Sequence, residues 1–142
     1  MKADLLAPAV VLVLWTLVML IWTASTRLPA LKAAGIDMSK AIGGRGQDLE
    51  GVLPPNINWK AHNYAHLVEQ PTLFYAVIGI LAIMGQVSGL AVALAWTYVG
   101  LRVAHSIVQA TVNKIALRFP LFAASTLVLL ILAILALLRT LD

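Results

Sequence analysis

The sequence predicts an all-α membrane protein built as a four-transmembrane-helix bundle. Three observations lead there. The chain of 142 residues is 61% hydrophobic and only 11% charged, with a mean hydropathy of +0.93, a composition outside the range of soluble domains. Its apolar residues fall in long runs rather than in the short patterned segments of a globular core. Four such runs are each about 20 residues long, enough to cross roughly 30 Å of hydrocarbon at 1.5 Å per residue. Helices are the natural spanning elements, because each satisfies its own backbone hydrogen bonds in lipid. A single domain is expected to occupy residues 1–142.

The first run, residues 5–25, carries no charge. Lys2 ahead of it invites comparison with a secretory leader. The run is longer than the apolar segment of about 7–15 residues found in leaders, and no small-x-small site closes it, so it reads as a retained span. The second run, 64–87, contains one charge, Glu69, and the third, 90–112, contains one, Arg102. The fourth, 120–138, has none and opens with Pro120, a residue suited to the first turn of a helix.

Residues 26–61 form a long loop containing the segment GGRGQDLEGVLPPN. A glycine-rich phosphate cradle needs a strand before it and a helix after it. Neither is expected here, and the segment reads as turn-rich surface in which Asp37, Asp48 and Glu50 mix with the bases.

The net charge of +4 and pI near 9.8 do not call for nucleic acid. Arg27, Lys32, Lys40, Arg45 and Lys60 lie in the first loop and Lys114 and Arg118 in the third, whereas the loop at 85–89 is uncharged. The positive-inside rule places the first and third loops in the cytoplasm and both termini on the other side, with the bases meeting anionic lipid. The chain has no cysteine. That excludes disulfides, thiolate metal sites and a cysteine nucleophile, so any thiol chemistry must use a thiol brought by a substrate.

Polar residues inside the runs carry the functional signal. His62, His66, Glu69 and Leu73 follow 4, 3, 4 spacing on the second helix, and Tyr98, Arg102, His105 and Gln109 follow it on the third. Such spacing places each set on one helix face. A charge at a helix centre costs roughly 2.5–3.5 kcal/mol on insertion scales, so both stripes are expected to face the bundle interior. Glu69 lies about 14 Å along its helix from Lys60, and Arg102 about 16 Å from Asn113, so the two should meet as a buried pair at similar depth. The pair has two readings: a structural lock on helix register, or the wall of a polar cavity for a small zwitterionic or anionic ligand. Trp15, Trp22, Trp59, Trp96 and Tyr98 read as residues of the membrane boundary or lipid face. His62 reads as an interfacial anchor. No metal site is expected, because His66 and Glu69 are only three residues apart and His105 is on another helix. A transporter would require a pair of Gly- or Pro-broken helices that the sequence lacks.

The segments Ala61-His62, Glu69-Gln70-Pro71-Thr72-Leu73-Phe74 and Arg102-Val103-Ala104-His105, with Arg118 thirteen residues beyond His105, resemble in order and spacing the motifs of the MAPEG superfamily, the membrane-associated proteins in eicosanoid and glutathione metabolism. The chain looks like a bacterial-type member over most of its length. The resemblance implies a four-helix protomer assembled as a homotrimer, with glutathione as co-substrate in clefts between subunits. It implies a glutathione-dependent transferase or peroxidase acting on a small lipophilic electrophile. Arg118 matches the arginine that activates the thiol, and Glu69, Arg102 and His105 match pocket positions, with His66 and Gln109 as further contacts. His66 stands where the family usually has asparagine and Gln109 where a tyrosine is common. The alternative function is a non-catalytic member whose polar stripe serves helix packing.

Overall fold

The computed structural model describes residues 2–141, apart from the side chain of Lys2. It contains four long helices and a single short 3-10 turn among those residues: α1 Lys2–Ala33, the turn Gly46–Leu49, α2 Pro55–Ile83, α3 Gly89–Thr111 and α4 Ile115–Leu141. All four helices are long and apolar enough to cross a membrane. α1 packs on α2 and α3, and α4 packs mainly on α3.

The helix ends are set by local chemistry. α1 stops where Gly35 takes φ +74°, with the Ile36 amide donating to Leu31 and the Gly35 amide to Lys32, the paired bonds of a Schellman cap. Gly85, at φ +70°, closes α2 in the same way, its own amide reaching Ala82 and the Gln86 amide reaching Leu81. Pro55 opens α2, where its missing N–H has no partner to lose. Ser88 caps α3, its hydroxyl accepting from the Ala91 amide at 3.1 Å.

α4 differs from the sequence reading. It begins at Ile115 rather than at Pro120, and Pro120 lies inside it. Pro120 is the sixth residue of the helix, so its missing N–H takes away the bond that would reach the Ala116 carbonyl.

α1 is about 48 Å long at 1.5 Å per residue, so it overruns a hydrocarbon layer of about 30 Å. Its last turns carry Arg27 and Lys32 and support the first loop. Arg27 Nη2 donates to the Gly46 carbonyl at 2.9 Å and to Asn58 Oδ1 at 3.1 Å. Asn58 Nδ2 in turn donates to the Leu49 carbonyl at 3.1 Å. A Cβ on Gly46 would lie 2.8 Å from Arg27 Nη1, so glycine is what lets the guanidinium approach the loop backbone. His62 on α2 contacts Glu50 of the loop. Further out, the Ser39 hydroxyl and amide hydrogen-bond Asp37 and hold its carboxyl below the usual range.

The core is the seam of α1, α2 and α3. Leu5, Leu12 and Met19 of α1 recur every seven residues and meet Leu67, Phe74, Ile78 and Leu81 of α2, with Ala91, Ala95 and Tyr98 of α3. Phe74 and Tyr98 stack with centroids 4.4 Å apart, the contact that brings the middle of α2 against the stripe on α3.

Candidate functional site

The polar stripe of α3 is buried as its spacing predicts. Tyr98, Arg102, His105 and Gln109 all turn inward. Arg102 is only 1% exposed, and its Nη2 donates to the backbone carbonyl of His66 at 3.0 Å. Its Nε and Nη1 are buried and have no hydrogen-bond partner. The Phe122 ring of α4 covers the guanidinium, its centroid 5.6 Å from Cζ, a cation–π contact.

His66 Nδ1 and Gln109 Oε1 lie 3.0 Å apart. The contact suits the tautomer in which Nδ1 donates to the amide oxygen, which leaves Nε2 as an acceptor. His105 stands between the His66 ring, 6.2 Å away, and Phe122, 6.1 Å away. Deeper along the same seam, the Tyr98 hydroxyl donates to Gln70 Oε1 at 3.3 Å and Gln70 Nε2 donates to Thr126 Oγ1 at 2.8 Å. One chain of polar groups thus joins α2, α3 and α4.

The stripe of α2 is not the one expected. His62, Glu69 and Leu73 are exposed on this protomer and His66 is half-buried. The buried face of α2 runs instead through Asn63, Leu67, Phe74, Ile78 and Leu81, one residue further round the helix. Glu69 forms no ion pair with Arg102, although it is close enough to act on the guanidinium through space. The reason is geometric: Arg102 sits under the α2 backbone and takes a carbonyl, while the Glu69 side chain leaves the helix on its outer side.

Two further residues depart from the lipid-face reading. Trp15 Nε1 donates to Ser106 Oγ at 3.0 Å, and Asn63 Nδ2 donates to the same oxygen at 2.8 Å. Trp15 is therefore a structural donor between α1 and α3, and Tyr98 belongs to the core. Asn63, Ser106 and Thr126 have no role in the sequence reading, and Gln70 enters it only within the Glu69–Phe74 segment. The signal available for Asn63 was its place four residues before Leu67, on the face that continues through Pro71, Phe74 and Ile78.

Arg118 occupies the first turn of α4, half-buried, and its Nη1 donates to Asn113 Oδ1 at 2.7 Å. Asn113 holds φ +52° in the turn between α3 and α4, a left-handed conformation that asparagine tolerates better than other side chains. Arg118 is within electrostatic reach of His105. Five of the six site residues read from the sequence thus gather at one end of the α2–α3–α4 seam: Arg102, His105, His66, Gln109 and, at its mouth, Arg118. Glu69 lies on the outer rim. Among the described residues, no group of three His, Asp or Glu side chains is arranged to hold a metal ion.

The model of the MAPEG family matches residues 5–138 of this sequence. The chain belongs to the MAPEG family. No curated protein and no solved structure matches it significantly. Membership and the four apolar helices make it an integral, multi-pass membrane protein with an all-α four-helix MAPEG fold. Within that fold the MAPEG match covers all four helices and includes Glu69 to Phe74 on α2, Arg102 to His105 on α3 and Arg118 on α4.

Proposed function

We propose that this MAPEG protein is a glutathione-dependent transferase or peroxidase acting on a lipophilic electrophile, and that it works as a homotrimer. The observation that supports this reading is the Arg102 guanidinium, buried with two donors that lack acceptors. A buried, unsatisfied cation is costly unless an anion or acceptor completes it. Glutathione brings two carboxylates, an ammonium group and a thiol. Arg102 would take a carboxylate, His66 Nε2 and Gln109 would bond the peptide groups, and Glu69 at the rim would take the ammonium.

Arg118 would act on the thiol. A free cysteine thiol has a pKa of about 8.5, and a neighbouring fixed cation lowers it by favouring the thiolate. In conjugation the thiolate sulfur attacks the electrophilic carbon, a C–S bond forms, and the leaving group departs with the electron pair of the broken bond. The thiol proton passes to solvent at the mouth of the seam. The apolar surfaces beside the site, on α4, suit a lipid-soluble electrophile. The first and third loops would face the cytoplasm, where the basic residues concentrate.

The non-catalytic reading is favoured by the Tyr98–Gln70–Thr126 chain and the Asn63–Ser106–Trp15 cluster, which join helices without any ligand. Equilibrium dialysis of purified protein against glutathione separates the two. Saturable binding by the wild type that Arg102→Leu abolishes supports the site. Absence of binding by well-folded wild type leaves the packing role.

A further inference from the structure

We propose that the first loop and the end of α1 form a seat for an anionic phospholipid, with its phosphate on Arg27 and Arg45 and an acyl chain along Leu28, Leu31, Ile36 and Met38. These six residues line a cleft of ≈ 440 Å³ between the last turns of α1 and the loop, a volume in the range of about 300–1,000 Å³ typical of small-molecule sites. A second cleft, of ≈ 520 Å³, lies across the same two arginines and is bordered by His62, Glu50 and Gln47. The first cleft is lined mainly by aliphatic side chains, the second adds the polar side chains of Gln47, Glu50 and His62, and two guanidinium groups stand where they meet. That is the division an amphiphile has between tail and headgroup.

The position in the membrane fits. Arg27 and the turns beyond it lie past the 5–25 apolar run, at the depth of headgroups. The apolar lip of the cleft has no protein cover: Leu28 is 57% exposed and Met38 58%, and Ile42, next to the lining residues Ala41 and Gly43, is 99% exposed. Clustered exposed apolar side chains beside bases mark contact with a lipid surface rather than with bulk water.

Charge complements an anion. Lys32 adds to Arg27 and Arg45, whereas Lys40 is paired with Asp37 at 3.6 Å. One carboxylate lines each cleft, Asp48 in the first and Glu50 in the second, against the two guanidinium groups that line both, so the balance stays positive. Arg27 commits Nη2 to Gly46 and Asn58, while its buried Nε has no acceptor. A phosphate oxygen would complete it. The site is separate from the Arg102 seam, and its test does not depend on glutathione.

Native mass spectrometry of the detergent-purified protein, with dioleoylphosphatidylglycerol or dioleoylphosphatidylcholine added at equal concentration, tests the proposal. The expected result is retention of the anionic lipid at least tenfold above the zwitterionic one. Arg45→Gln removes most of that preference, and Leu28→Glu lowers retention of the anionic lipid. Both side chains are exposed and neither holds the loop, so both variants fold. Lys114→Gln, in the other basic loop, behaves as wild type. Equal retention of the two lipids, or wild-type retention in either variant, overturns the proposal. Oleate displacing phosphatidylglycerol with the same dependence on Arg45 and Leu28 overturns the phospholipid in favour of a free fatty acid.

Discussion

Arg102 Nη2 donates to the His66 carbonyl at 3.0 Å, tying α3 to α2 through a guanidinium whose Nε and Nη1 have no acceptor. One hydrogen bond does not offset the desolvation of a cation that is 1% exposed. Arg102→Leu is therefore expected to leave the unliganded protein as stable as wild type, or more stable by up to about 1–4 kcal/mol, as replacement of buried ionic groups by apolar ones often does. Glutathione binding should be lost in the same variant. Unfolding in a denaturing-detergent titration, run with and without glutathione, reads both effects. A destabilisation of the unliganded protein would mean that Arg102 is chiefly a structural tie.

Glu69 is exposed on the protomer and outside ion-pair contact with Arg102. Breaking a buried ion pair costs about 3–5 kcal/mol, whereas an exposed or distant pair contributes about 0–1 kcal/mol. The double-mutant cycle Glu69→Gln with Arg102→Leu is expected to give a coupling energy below about 1 kcal/mol. A larger value would place the carboxylate against the guanidinium after all.

These two residues also show what the sequence could reveal. The third-helix stripe was legible because Arg102 and His105 are too polar to face lipid, and the 4, 3, 4 spacing left one face for them. The second-helix stripe was misread by one step. His62 and Glu69 lie on a face that the protomer leaves open, and Asn63 takes the interior position. Hydropathy found the four spans because lipid demands apolar runs. It could not find the last turns of α1, where Arg27 and Lys32 are helical but lie beyond the uncharged run of residues 5–25. Nor could it find the start of α4 ahead of Pro120, because a proline at the edge of an apolar run reads as the opening of a helix. The bond from Trp15 to Ser106 joins residues 91 apart and has no local signature.

Ser106 accepts from both Trp15 and Asn63. Ser106→Ala leaves the buried Asn63 donor and the half-buried Trp15 donor without an acceptor, at a cost on the order of 1–3 kcal/mol for the pair, since interhelical bonds in membranes are worth about 0.6 kcal/mol on average and unsatisfied groups more. Trp15→Phe combined with Ser106→Ala should cost less than the sum of the two single changes. Strict additivity would show that the three side chains do not act as a unit.

The distribution of bases gives an expectation for topology. Gly44→Cys, in the first loop, and Ser88→Cys, between α2 and α3, should react with an impermeant thiol reagent from opposite sides of sealed vesicles, with Gly44→Cys on the cytoplasmic side. The chain has no native cysteine to confuse the labelling. Reaction of both from one side would contradict the four-span arrangement, and reaction of each from the reverse side would invert the orientation.

Arg118 is held at the mouth of the seam by Asn113, whose Oδ1 accepts from Nη1 at 2.7 Å and whose backbone is left-handed at φ +52°. The two features can be separated. Asn113→Gly keeps the left-handed turn, which glycine adopts without strain, and removes only the acceptor. Asn113→Ala removes the acceptor and adds about 1–2 kcal/mol of backbone strain. If Arg118 stabilises the thiolate of bound glutathione, a pH titration of thiolate absorbance should give an apparent pKa below that of the free thiol in wild type. The value should lie closer to the free thiol in Asn113→Gly, where the arginine is no longer fixed, and reach it in Arg118→Leu. Glutathione affinity at low pH, where the thiol is neutral in every variant, should change little. Thiolate titration in Asn113→Gly identical to wild type, with Arg118→Leu still shifted, would remove Asn113 as a positioning residue. An unshifted titration in wild type, or one that Arg118→Leu leaves as it was, would remove Arg118 from the chemistry and leave it as the residue that anchors the start of α4.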